Sequence, residues 1–389
     1  MRASSAWRIA GFACAGVWTY LALFRGGFWR LGERLPEPSG KTPPRARMTA
    51  VIPARNEEDV VEHPVRSLRD QVFEGDLRII VADDESEDST AEVARASGAE
   101  VIRVGPRPPG WKGKLWAVDS GLRAETARPD FFLLTDADIE YADNGAIQAL
   151  VDQTNRGFDL VSVMVRLRCE SAAEKFLIPA FVFFFFKLYP PGWVASGRGP
   201  AAAAGGCMLI RREMLERIGG VESIRDALID DCALAQRVRS AGGRVWLGVC
   251  ELPIRSIRVY GAAGDIRAMI SRSAFAQLRH SLLLLIGTAA GMSITYLAPV
   301  ALLFAPDRVA RALGAASWII AAALFLPTVR MYRAPRWTVL CLPGIASFYL
   351  AATVESALLY WSGKGGAWKG RVQDSAPSAS HSTIFLRDS

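Results

Sequence analysis

Three groups of carboxylates in this chain are placed where they can do chemistry. Asp83-Asp84 closes the apolar run Leu77-Arg78-Ile79-Ile80-Val81, and Asp136-Ala137-Asp138 closes Phe131-Phe132-Leu133-Leu134-Thr135. Asp230-Asp231 opens a helical stretch further on. Carboxylates gathered at strand ends suit a crevice in which a divalent cation and a diphosphate meet, at the carboxyl ends of parallel strands. In Asp136-x-Asp138 two carboxylates can share one Mg²⁺ or Mn²⁺, which takes one or two protein oxygens and fills its shell from phosphate. Each group also has a plainer use. Paired aspartates are common in turns, and Asp83 to Thr90 can be a helix N-terminus with Asp88 and Ser89 as caps. Asp230 or Asp231 can likewise cap its helix. Asp84, nearer the strand end, is better placed to accept from the imide of a pyrimidine.

These residues need a frame. Short apolar runs at Met48–Ile52, Leu77–Val81, Glu100–Val104, Phe131–Thr135 and Asp159–Val165 read as strands. Helical patterns alternate with them, around Val60 to Leu68, Ser89–Ser97, Trp116–Thr126 and Ile147–Thr154. That alternation, with strands apolar throughout, implies a parallel-rich sheet covered on both faces. Gly197–Gly206 reads as a flexible loop, and Asp231–Ser240 as a helix ending at Gly242-Gly243.

Membrane-length segments flank this α/β region. The N-terminal run to Phe24 has Arg2 and Arg8 before it and no small-residue cleavage site after it, so it reads as a retained anchor. Ser281–Phe304, Ala312–Val329 and Trp337–Tyr360 each approach the roughly 20 residues that cross a bilayer core. Phe176–Tyr189 is shorter, and an interfacial helix or a wall of a lipid groove is expected there, with a buried core helix as the alternative. The organisation expected is an anchor at 1–29, a proline-rich linker at 30–47, a catalytic domain at 48–280, a membrane region at 281–362 and a polar tail at 363–389. A catalytic domain facing the cytoplasm puts the Arg330–Arg336 loop inside, as the positive-inside rule prefers.

A hydrophobic fraction of 51% over 389 residues fits such a mixture of soluble and membrane parts. The net charge of +7 is spread widely, without a basic stripe, which argues against nucleic acid as a partner. The six cysteines show no metal spacing and read as reduced and structural, and the three histidines share no spacing.

The run Val51-Ile52-Pro53-Ala54-Arg55-Asn56-Glu57-Glu58, followed by Val81-Ala82-Asp83-Asp84-Glu85-Ser86, Asp136-Ala137-Asp138 and Asp230-Asp231, resembles the family-2 inverting glycosyltransferases of the GT-A fold. Pro109-Gly110-Trp111-Lys112-Gly113-Lys114-Leu115-Trp116-Ala117, with the C-terminal spans, is most similar to the hopanoid-biosynthesis-associated branch, and carotenoid-type glycosyltransferases share a similar segment. The resemblance implies a Rossmann-like sheet with helices on both faces, plus transmembrane helices. It places Pro53, Ala54, Arg55 and Glu57 in a nucleotide pocket, Asp84 on the uracil and Lys114 by the donor diphosphate. Asp136 would touch ribose or metal, Asp138 would be the main ligand of Mg²⁺ or Mn²⁺, and Asp231, rather than Asp230, would be the catalytic base.

The implied partners are a nucleotide-sugar donor, a lipid acceptor in a bacterial-type inner membrane and other enzymes of lipid biosynthesis. Two departures stand out. Glu85 replaces the glycine of the family's Asp-Gly-Ser turn, so a left-handed residue is not expected there. The Gln-x-x-Arg-Trp element of processive synthases is absent, its nearest stretch being Gln277-Leu278-Arg279-His280, so single-sugar transfer is expected. Transfer to polyprenyl phosphate, metal-dependent nucleotidyl transfer and an inactive membrane scaffold are the competing readings.

Overall fold

The computed structural model describes residues 2–38, 46–250 and 254–366. Part of the expected linker and nearly all of the polar tail lie outside them. The main sheet has seven strands: β1 (Arg47–Ala54), β2 (Asp76–Asp83), β3 (Glu100–Arg103), β4 (Phe131–Thr135), β6 (Leu160–Met164), β7 (Cys207–Arg211) and β8 (Val245–Val249). A second, two-stranded sheet joins β5 (Ile139–Glu140) to β9 (Arg255–Ser256). The order in the main sheet is β3-β2-β1-β4-β7-β6-β8. β3, β2, β1 and β4 run parallel, β6 and β8 also pair in parallel, and β7 is antiparallel to both β4 and β6.

The five strands expected from apolar runs are all present in the main sheet, which adds two more. β7 and β8 follow the segment where the sequence pattern loses its alternation. β7 is held from both sides by antiparallel partners far away in sequence, which no local pattern reports.

Separate apolar cores lie on the two faces. One gathers Ile52, Val65, Leu68, Ile79, Val81, Leu133 and Ile147. The other gathers Val51, Leu115, Val118, Leu134, Met208 and Leu234, and runs on into the membrane-side helices. The helix Gly113–Ala124 packs on the second face through Gly121, where an added Cβ would come 2.5 Å from Val51 Cγ1. That close approach seats the helix firmly on the sheet, with Lys114 in its first turn.

The Gly197–Gly206 loop is not the flexible segment expected. Ala201 to Ala204 are at most 6% exposed, and the Ala204 N–H donates to Ser162 Oγ on β6. Small side chains allow this irregular backbone to press against the sheet, and the hydrogen bond satisfies it there.

Four helical segments among the described residues are long and apolar enough to cross a membrane: Ala172–Ser196, Leu282–Leu302, Arg308–Met331 and Arg336–Trp361. Arg2–Leu23, expected as an anchor, is a 22-residue helix outside that set, because Arg2, Arg8 and several small polar residues dilute its apolar content. It lies along Arg308–Met331. Ala172–Ser196, expected at the membrane surface or along a lipid groove, is instead more than half buried. Ile178, Val182, Phe183 and Phe186 are inside, so the buried alternative describes it better. A capping box of Ser171 and Glu174 starts its first helix, and the fully buried Glu174 also takes Arg168 and the Tyr260 N–H.

Candidate active site

The parallel register delivers the first residues of the site. Ala54 pairs with Asp83 at the ends of β1 and β2, and the Asp84 N–H donates to the Ala54 carbonyl at 2.8 Å. Pro53, Ala54 and Asp84 therefore meet at one corner of the sheet, and Asp84 is only 2% exposed. Arg55 is buried beside them. Its Nη1 donates to the carbonyls of Asp84 and Glu85, so it clamps the turn instead of presenting all its donors to a pocket. Its Nε has no hydrogen-bond partner among the described residues. Glu85 has φ +55°, which corrects the expectation from its lack of glycine. The left-handed turn survives the substitution because Arg55 holds its carbonyl.

Asp88, expected as a cap, accepts from the Thr90 N–H at 3.0 Å and from the Glu58 N–H at 3.2 Å, whereas the Ser89 side chain caps nothing. The Glu57 N–H donates to Thr90 Oγ1 at 2.8 Å, which ties the segment after β1 to the helix after β2.

Lys114 is the hub of the cleft. Its Nζ lies 2.8 Å from Asp136 Oδ1 and 3.2 Å from Asp230 Oδ2. Burial works against the ammonium, but Asp136, Asp230 and Asp231 outweigh it and hold its pKa above the usual lysine value. Pro53, Lys114, Asp136, Gly205 and Asp230 line one cleft. The structure thus brings together residues from the ends of β1 and β4, the helix Gly113–Ala124, the 197–206 loop and the helix Asp230–Ser240.

The two acids of that last helix differ. Neither is its N-cap, which is Ile229; both sit in the first turn. Asp230 is paired with Lys114, while Asp231 is held by main-chain donors. Gly205 N–H donates to Asp231 Oδ2 at 2.8 Å and Cys232 N–H to Oδ1 at 2.6 Å. Burial and the neighbouring Asp230 push the Asp231 pKa up to about 6, against the pull of Lys114 and the two N–H groups. Beside it stand uncharged groups: Cys232, and Tyr189, whose hydroxyl accepts from Gln277 Nε2.

Asp138 is 7% exposed, and its Oδ2 accepts from Ser256 Oγ at 2.6 Å and faces Arg258 Nε at 3.3 Å. Arg258 also reaches Glu57 Oε1 at 2.8 Å. Asp138 Oδ1 has no partner among the described residues, and neither has Asp136 Oδ2. No three His, Cys, Asp or Glu side chains converge there among the described residues. The donor set still fits Mg²⁺ or Mn²⁺, since two carboxylate oxygens suffice when a diphosphate completes the shell.

Gly205, Ser256, Arg258, Tyr189 and Gln277 were not singled out as site residues from the sequence. Ser256 and Arg258 arrive through the pairing of β9 with β5, and Gly205 contributes only backbone, so local pattern carries no signal for them.

Residues 49–219 match the family described as Glycosyl transferase family 2. A 4,4'-diaponeurosporenoate glycosyltransferase of Staphylococcus haemolyticus is 36% identical over 111 residues, which is 28% of this chain and 28% of that protein. One from Staphylococcus aureus (strain USA300) is 39% identical over 108 residues, 27% of this chain and 28% of the relative. The chain therefore spans little more than a quarter of the length of these curated relatives. A mannosyltransferase from Pyrobaculum calidifontis, solved with GDP-Man and Mn²⁺, superimposes with a TM-score of 0.52 at 20% identity, over 92% of this chain and 98% of that one. The fold is GT-A with added membrane-type helices, and residues 49–219 of it are similar to the Glycosyl transferase family 2 description.

Proposed function

We propose that this protein is a multi-pass membrane glycosyltransferase that moves one sugar, with inversion, from a nucleotide-sugar to a lipid hydroxyl. The observation that carries the reading is the contrast between the two adjacent acids: Asp230 is paired with Lys114, and Asp231 is aimed by two main-chain N–H groups. The staphylococcal relatives are named 4,4'-diaponeurosporenoate glycosyltransferases, which supports a lipid-like acceptor here, and a hopanoid fits that class. The four membrane-length segments support an inner-membrane location, with the catalytic domain on the cytoplasmic side where nucleotide-sugars are made.

The residues divide the work. The Asp83–Ser86 turn, clamped by Arg55, seats the base of the nucleotide, with Asp84 facing its imide. Lys114 stands by the diphosphate and stabilises negative charge as the glycosidic bond breaks. Asp136 and Asp138 would hold Mg²⁺ or Mn²⁺, which supplies further neutralisation of the leaving diphosphate. Asp231 accepts the proton of the acceptor hydroxyl as that oxygen attacks the anomeric carbon from the opposite face. With a pKa near 6 it is ionised at neutral pH and more basic than an ordinary aspartate.

An anionic polyprenyl phosphate would need no base and would bring its charge against the neighbouring Asp230 and Asp231 carboxylates, so a neutral hydroxyl fits better. The test uses membranes with the wild-type chain, Asp231→Asn or Asp138→Ala, given Mn²⁺ and labelled UDP-sugars or GDP-mannose, with label followed into lipid. Lipid labelling by wild type alone is expected. Equal labelling by Asp231→Asn would move a phosphate acceptor to first place, and no labelling with no metal-dependent nucleotide binding would end the enzyme reading.

A further inference from the structure

Away from the cleft, two cations at one helix end have no anionic partner among the described residues. Lys187, in the Ala172–Ser196 segment, points its ammonium at Tyr296, donating to Oη at 2.8 Å. It lies 4.8 Å from the centre of the Tyr296 ring and 5.3 Å from that of Phe184. No carboxylate pairs with it among the described residues, and its own carbonyl is taken by another cation, Arg25. Arg25 closes the turn after the first helix. Its Nε and Nη2 donate to the carbonyls of Lys187 and Leu188, and its guanidinium lies 5.1 Å from the centre of the Trp193 ring.

Each contact has a local use, since Arg25 caps the end of a helix and the rings attract the ammonium. Neither use removes the charge. Ionisable groups inside a membrane bundle are rare and mark function by default, and here two of one sign meet at one helix end, Arg25 on the carbonyl of Lys187 itself. Arg25 Nη1 has no partner among the described residues, and the Lys187 ammonium has made one of its three hydrogen bonds.

The surroundings say what kind of anion could balance them. Leu23, Phe24 and Leu188 beside the pair are 68%, 64% and 45% exposed, a surface for acyl chains and not for a soluble ion. Trp29 and Trp193 flank it, as aromatic residues do at headgroup depth. Tyr296 belongs to a π-helical turn, Ser293–Leu297, whose Thr295 carbonyl accepts from Trp18 Nε1 at 2.8 Å, so the first helix is pinned to this place. Lys187 and Tyr189 are two residues apart on one helix end and project to nearly opposite sides. Tyr189 faces Asp231, so the Lys187 position is separate from the catalytic one.

We propose that Arg25 and Lys187 form a seat for the phosphate of an anionic lipid, whose chains cover Leu23, Phe24 and Leu188. The phosphate accepts from Arg25 Nη1 and from the remaining Lys187 N–H groups. Occupation joins the first helix, the Ala172–Ser196 segment and the π-turn through one ligand.

The test is independent of transfer activity. The full chain in neutral detergent is given phosphatidylglycerol, phosphatidylcholine or farnesyl phosphate, and bound lipid is counted by native mass spectrometry, with thermal unfolding as the folding control. Wild type should retain phosphatidylglycerol over phosphatidylcholine. Lys187→Met and Arg25→Gln should each lower retention about fivefold. Lys187→Arg should restore it, and Arg330→Gln should leave it unchanged. Retention of farnesyl phosphate in place of phosphatidylglycerol, lost in the same variants, would support the seat and name prenyl phosphate as its source. Absence of any preference for an anionic lipid, or equal retention by both folded variants, would overturn the proposal. If Lys187→Met fails to fold, Arg25→Gln decides alone.

Discussion

The two halves of the sheet are built on different plans. In β3-β2-β1-β4 each strand is parallel to its neighbour, and the acids sit where the strands end. In β7-β6-β8 a strand runs backwards between β4 and β6, and an irregular loop of small residues leads into it. The parallel half holds Pro53, Asp84 and Asp136, the residues expected to meet the donor. The other half brings Gly205 to Asp231, where the acceptor is expected. The difference teaches that the donor side is made of local units, whereas the acceptor side depends on contacts between distant segments, and the two can be perturbed separately.

Asp231→Asn attacks the acceptor half and should have the largest effect, lowering kcat by about 10²–10⁴-fold with donor affinity retained. Donor binding lost to the same degree would erase the distinction between the halves. The variant should also change the pH dependence of stability. The raised pKa means that protonation of Asp231 favours the folded state, and that contribution is full below about pH 3.8 and lost as pH rises through about 6. The asparagine removes this dependence, but its one amide oxygen can accept from only one of the Gly205 and Cys232 N–H groups, so thermal unfolding across pH should read a flatter profile and not a simple gain.

Lys114→Ala removes the cation shared by the two halves. A loss of about 10²–10³-fold in kcat is expected, in contrast to a change confined to donor KM.

The pH profile comes next. Activity should fall as pH drops through about 6 and Asp231 takes up its proton, approaching tenfold per unit below that value. The Asp231→Asn residual rate should lack this limb; a limb unchanged in the variant would assign it to another group.

Arg55→Ala loosens the donor half alone. It should raise donor KM by about tenfold, with kcat little changed, because two carbonyls of the Asp84–Glu85 turn lose a charged donor. Glu85→Gly is the finest probe. It relieves a left-handed residue at φ +55° and should stabilise the fold by about 1 kcal/mol or less.

What could be read from the sequence follows the same division. β1 to β4 and their helices show themselves through apolar runs and the acids that close them, and the Lys114 segment through resemblance. β7 and β8 do not, since β7 is paired on both sides with distant strands and the pattern around it is broken by the alanine- and glycine-rich loop. Arg258 carries no local signal; β9 folding back on β5 sets it against Asp138 and Glu57. The turn at Glu85 is hidden for a related reason. The residue's own preference is overridden there by the Arg55 side chain.

The contact from Gly205 to Asp231 has a consequence for mutational scanning. Its donor is a peptide N–H, which every amino acid but proline supplies. A side chain at 205 would keep that N–H, yet its Cβ would come 3.4 Å from both Asp231 Oδ2 and Lys114 Nζ, so a loss seen in a side-chain screen would report crowding of the cleft and not the hydrogen bond. An ester in place of that amide removes the donor alone and separates the two.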